Sequence, residues 1–152
     1  MNTFQSSGRP WHLWLVGIVS LLWNSLSVVD FGMTLSGSAE YLRLITEGSG
    51  VSPQAAAQYF AAFPLWMDIA WAAGVGGSIL GAVLLLGRSG FAYYAFLLSA
   101  IGLAITLGYQ TINPLSGLTD SAAALTITAV VLAFGLFEIW YCRRLALRGV
   151  LR

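Results

Sequence analysis

The sequence is poor in the residues that most chemistry and most soluble folds need. It has no lysine, one histidine (His12), one cysteine (Cys142) and only 9% charged residues, against roughly 25% in an ordinary soluble domain. A single cysteine excludes an internal disulfide and a cysteine-based zinc cluster. A single histidine leaves no metal-ligand cluster and no Cys/His pairing, and there is no Gly-rich phosphate loop. These absences predict a chain with no catalytic residues, no cofactor and no metal. The seven basic residues, all arginine, make a net charge of only +1 and form no basic patch interleaved with aromatics, so nucleic acid is excluded as a partner.

What is abundant is apolar sequence, 58% of the 152 residues. Four runs, near 11–33, 64–86, 91–112 and 121–142, are each long enough for a hydrocarbon core of about 30 Å. They predict an all-α integral membrane protein, one four-helix bundle over residues 1–152 whose first partner is the lipid bilayer. The first run is too long for a signal h-region and lacks a small-x-small cleavage site, so it reads as an uncleaved helix. Arg9, Arg88, Arg143, Arg144, Arg148 and Arg152 fall on one side of a four-span arrangement and only Arg43 on the other. The positive-inside rule then puts both termini in the cytoplasm. Gly87-Arg88-Ser89-Gly90 is a turn tight enough to make the second and third spans antiparallel neighbours.

The connection over 36–63, on the outer side, is too long to be structureless. Ser38 can cap one short helix that ends at Gly48-Ser49-Gly50, with Tyr41, Leu44 and Ile45 on its covered side. Ser52 with Pro53 opens a second through Phe63. Two short amphipathic helices over the outer ends of the spans are expected, as a lid or an interfacial cover.

The spans are sided. In the first, Gly17, Ser20, Trp23, Asn24, Ser27, Asp30 and Thr34 share one arc opposite Leu15, Ile18, Val19, Leu22, Leu26, Val29 and Met33. In the second, Gly74, Gly77, Ser78 and Gly81 form a small-residue face where a neighbouring backbone can approach closely, within the chain or in a dimer. Asp68, one turn into that span, is expected at the depth of Asp30, and Tyr109, Gln110 and Asn113 end the third span at the same level. Asn24, Asp30, Asp68, Tyr109, Gln110 and Asn113 thus form the candidate polar cluster, facing outward. Glu138 is read as a cytoplasmic-end acid whose partners are the arginines after it. His12, beside Trp11 and Trp14, reads as an interfacial anchor, and Cys142 as a small packing residue.

Leu22-Trp23-Asn24, Asp30 with Met33-Thr34, Tyr41-Leu42, Phe63-Pro64 with Trp66, Ala70-Trp71, Gly74-Val75 with Gly77 and Gly81, Tyr109, and the closing Arg148-Gly149-Val150-Leu151-Arg152 resemble an uncharacterised group of small four-span bacterial inner-membrane proteins. Some of these carry an automatic sugar-transporter label. The likeness covers nearly the whole chain. It departs at Phe31, where tyrosine is expected, and at Gln110, where asparagine is commoner. It implies the bundle and a bacterial inner membrane.

Two functional readings follow. One is a transporter-like protein, oligomeric, that binds a small solute or cation at the polar cluster. The other is an accessory subunit that packs against a larger membrane complex through its small-residue grooves.

Overall fold

A computed structural model describes residues 11–152; Arg9 and the rest of the N-terminal tail lie outside the described residues. The chain forms six helices, α1 (Trp11–Leu35), α2 (Ala39–Thr46), α3 (Pro53–Ala61), α4 (Leu65–Leu86), α5 (Phe91–Ile112) and α6 (Ala122–Leu147). The described residues contain no strand. α1, α4, α5 and α6 are long and apolar enough to cross a membrane, and the chain is a multi-pass membrane protein built as a helical bundle.

The expected sidedness of α1 is present. Gly17, Ser20, Asn24 and Thr34 are buried, while Leu15, Ile18, Val19, Leu22, Leu26, Val29 and Met33 are exposed. This inside-out arrangement suits a hydrocarbon solvent, which welcomes leucine and leaves amides to find partners inside.

The most extensive helix contact is between α4 and α5, and glycine makes it. A Cβ on Gly77 would lie 2.9 Å from both the Ala95 carbonyl oxygen and the Ser99 nitrogen, and one on Gly81 would lie 2.8 Å from the Phe96 ring. Gly102 of α5 is tighter still, at 2.5 Å from the Ala70 carbonyl oxygen and 2.6 Å from the Gly74 backbone. The glycine face is therefore filled from within the chain, and its closest partner is a glycine on the next helix.

The α4–α5 turn is closed by the end of the chain. α4 terminates with Arg88 N–H donating to the Leu85 carbonyl (3.0 Å) and Ser89 N–H to that of Leu84 (2.9 Å). This is a Schellman cap, which places Arg88 in the left-handed region (φ 60°), where glycine is usual. Three bonds to the last residues offset that strain. Arg88 Nε donates to the Val150 carbonyl (3.2 Å), Arg152 N–H to that of Arg88 (2.9 Å), and Gly90 N–H to that of Arg152 (2.8 Å). Val150 and Leu151 enter the core beside Leu13, Leu85, Phe96 and Tyr141, so the closing pentapeptide is a structural clip.

The two short helices exist, with corrections to how they start and which face they bury. Ser52 caps α3 by accepting from Ala55 N–H (3.1 Å). Ser38 makes no side-chain cap on α2; its backbone N–H closes the end of α1 on the Met33 carbonyl (3.2 Å). On α2 the buried residues are Leu42 and Thr46, and Leu44 is uncovered. Tyr41 bonds Asp30, and Leu42, the next residue, is buried. α3 is held by an aromatic cluster, with Phe63 against Trp71 and Tyr109 (ring centroids 6.3 and 5.3 Å) and Tyr59 against Phe63 (5.1 Å).

The last helix extends beyond the expected 121–142 to Leu147, because Arg143 and Arg144 are helical. Arg144 lies over the Trp140 ring at 5.2 Å, so these arginines continue the span rather than terminate it.

Candidate functional site

α6 touches the bundle unevenly. Its buried residues are Glu138, Tyr141, Cys142 and Leu145, all in the half nearer the chain end. Large side chains set its distance from α1, and three contacts span the gap. His12 Nδ1 and the Tyr141 hydroxyl are hydrogen-bonded at 2.6 Å, Asn24 Nδ2 donates to Glu138 Oε1 at 2.9 Å, and Trp23 packs on Phe134 at 5.3 Å between centroids. His12 is thus an anchor between helices as well as an interfacial ring.

Behind these contacts lies a cavity of about 250 Å³ bounded by α1, α4, α5 and α6. Its polar lining is Asn24, Ser27 and Asp30 from α1, Ser78 from α4, Ser99, Thr106 and Gln110 from α5, and Glu138 from α6; Trp23, Trp71 and Phe96 supply aromatic walls. The lining carries two carboxylates and no arginine or histidine.

Glu138 is 2% exposed. With α6 continuing to Leu147, about 13 Å of helix separates it from that end at 1.5 Å per residue. Its partner is Asn24, which corrects the expected pairing with the arginines: those lie farther along the helix and the carboxylate turns inward. The fully buried Ser20 hydroxyl lies beside the same carboxylate, short of a well-formed hydrogen bond. Asn24, by its bond to Glu138, holds an acid inside the bundle.

The expected polar cluster divides. Asn24, Asp30 and Gln110 line the cavity; Asp68, Tyr109 and Asn113 do not. The Asp30 carboxylate accepts from the Tyr41 hydroxyl at 2.5 Å, which ties α2 to the cavity wall. Burial, reinforced by the neighbouring Asp30, holds the Tyr41 phenol well above its ordinary pKa, so it remains a donor. Asp68 stays near the start of α4, with one carboxylate oxygen buried and unpartnered. Tyr109 joins the aromatic cluster through Phe63 and Trp66. Asn113 is exposed, and its backbone carbonyl accepts from Tyr59 (2.8 Å). Packing on Phe63 and Trp66 thus takes the Tyr109 ring into the aromatic cluster and not into the cavity that Asp30 lines. The inward reach of Glu138 was readable only from its helical spacing with Gly135 and Cys142.

Among the described residues no three His, Cys, Asp or Glu side chains converge as a metal ion would require. No protein-family model matches the chain, and neither a curated protein nor a solved structure resembles it significantly. Function is therefore read from the cavity itself.

Proposed function

We propose that this is a non-enzymatic, transporter-like protein of a bacterial inner membrane, with both termini cytoplasmic, that binds a small cation in the cavity between α1, α4, α5 and α6. The observation that carries this reading is Glu138, buried at the cavity wall on the Asn24 amide with Asp30 on the same lining and no basic side chain beside either. Acids inside a span are costly and mark ion or solute paths. A neutral solute would leave both carboxylates without countercharge, whereas an ammonium ion would supply it and could rest on the Trp23 or Trp71 face. Movement across the membrane would further require a second conformation or a second copy, since one four-helix chain leaves little room for a pore.

The accessory-subunit reading lacks its carrier, because the glycines meant to grip a partner are packed within the chain. The test is binding and uptake of tetramethylammonium by the full chain in reconstituted vesicles. Glu138→Gln keeps shape and one acceptor but removes the charge, and it should weaken binding by about tenfold or more, a loss of roughly 1.4 kcal/mol. Glu40→Gln, on the exposed face of α2, should not. Equal binding by wild type, Glu138→Gln and Asp30→Asn would sink the reading.

A further inference from the structure

A second concavity, of about 720 Å³, lies at the other end of the α5–α6 pair, lined by Phe91, Tyr93 and Tyr94 from the start of α5, Arg143 and Leu147 from the end of α6, and Arg152. We infer that it is a binding site for the headgroup of an anionic glycerophospholipid. It is separate from the solute cavity and does not depend on what that cavity binds.

The charged side chains of the lining are of one sign, with two guanidinium groups and no acidic side chain. Arg152 is fixed there by backbone bonds. Its N–H donates to the Arg88 carbonyl and its own carbonyl accepts from Gly90 N–H, so the side chain leaves from a clipped segment. The positive end of the α5 dipole faces the same region. Guanidinium recognises phosphate oxygens through paired donors, and basic pockets between span ends are suited to anionic headgroups.

The apolar part selects a lipid rather than a free anion. Phe91 and Tyr94 are 72% and 65% exposed, and the same helical stripe continues along α5 through Leu98, Ile101 and Ile105, all exposed. Spacings of three and four residues keep these on one face. An acyl chain could follow this track from the headgroup into the hydrocarbon. Tyrosines at the mouth match the depth of an interfacial aromatic belt.

The experiment is a titration of the full chain in mild detergent with phosphatidylglycerol, phosphatidylcholine or inorganic phosphate, read by native mass spectrometry and thermal shift. Phosphatidylglycerol is expected to bind and raise the melting temperature, with phosphatidylcholine much weaker and excess phosphate unable to displace it. Arg143→Gln and Arg152→Gln should each weaken phosphatidylglycerol by about fivefold and together by about 25-fold, at one arginine's worth of surface attraction each. Arg144→Gln with Arg148→Gln removes the same charge from the same end of the molecule and should leave binding near wild type. Unchanged melting temperatures in lipid-free detergent establish that both double variants are folded. Equal losses in the two double variants, equal binding of phosphatidylcholine, or displacement by phosphate would each overturn the inference.

Discussion

The α4–α5 hairpin and the α1–α6 pair are built from equally apolar helices, yet one is packed backbone to backbone and the other is held apart. Along α4, a third of the spanning window is buried, against 6% for α6. Glycine explains the first. Gly74, Gly77 and Gly102 bring backbone against backbone and Gly81 makes room for the Phe96 ring, and in lipid such close van der Waals contact replaces the hydrophobic drive that a soluble core would have. Trp23, Phe134, His12 and Tyr141 explain the second. Bulky rings fix the spacing, and polar side chains reach across what remains. A void beside a rigid platform is the result, and the polar groups that line it are those the packed pair has no room for.

The sharpest way to break this contrast is to give each pair the other's residue type. Gly102→Leu drives carbon into the Ala70 carbonyl and the Gly74 backbone, and it should cost about 3 kcal/mol by overpacking, measured as detergent unfolding. Gly135→Ala, on the cavity side of α6 where a Cβ meets nothing within 4 Å, should stay within about 1 kcal/mol of wild type. Similar losses at both sites would mean that the two pairs are equally tight.

A smaller effect is expected at the bridge. Asn24→Leu strands the Glu138 carboxylate and should cost about 1–3 kcal/mol. Adding Glu138→Leu should restore part of it, because two apolar partners no longer bury an unmet charge. A double-mutant cycle without coupling would show that the Asn24–Glu138 bond does not hold the helices together.

The smallest effect concerns alkaline pH at the α2–α3 end. Burial raises the phenol of Tyr41, next to Asp30, and that of Tyr59, next to Tyr109. A raised folded-state pKa means that the unfolded chain gives up the proton first. Stability from these groups is complete below the ordinary tyrosine pKa of about 10 and is lost as pH rises beyond it. Unfolding followed from neutral to strongly alkaline pH should show this decline in wild type and a shallower one in Tyr41→Phe.

The spans and the inward arc of α1 could be read directly, since composition and a period of 3.6 report which face meets lipid. The glycine face of α4 was also legible, although its tightest partner, Gly102, was hidden among the polar positions of α5. Read from the sequence, Glu138 lies too near the surface because Arg143 and Arg144 look like a helix end; with Arg144 packed on Trp140 they extend the helix instead. The outer cluster was drawn from depth alone. Depth brings Asp68, Tyr109 and Asn113 level with Asp30 without saying which way they turn, and for Tyr109 the rings of Phe63 and Trp66 decide that.

The sequence by itself determined the solvent of this protein, the number of helices long and apolar enough to cross it and the inward arcs of α1 and α4, because these follow from hydrophobicity along one chain. Only the tertiary structure decided that Asn24 meets Glu138, that the last five residues clip the α4–α5 turn, and that a cavity opens beside a close-packed pair. Those outcomes depend on how far apart two helices settle, and that distance is set by side chains on both helices at once.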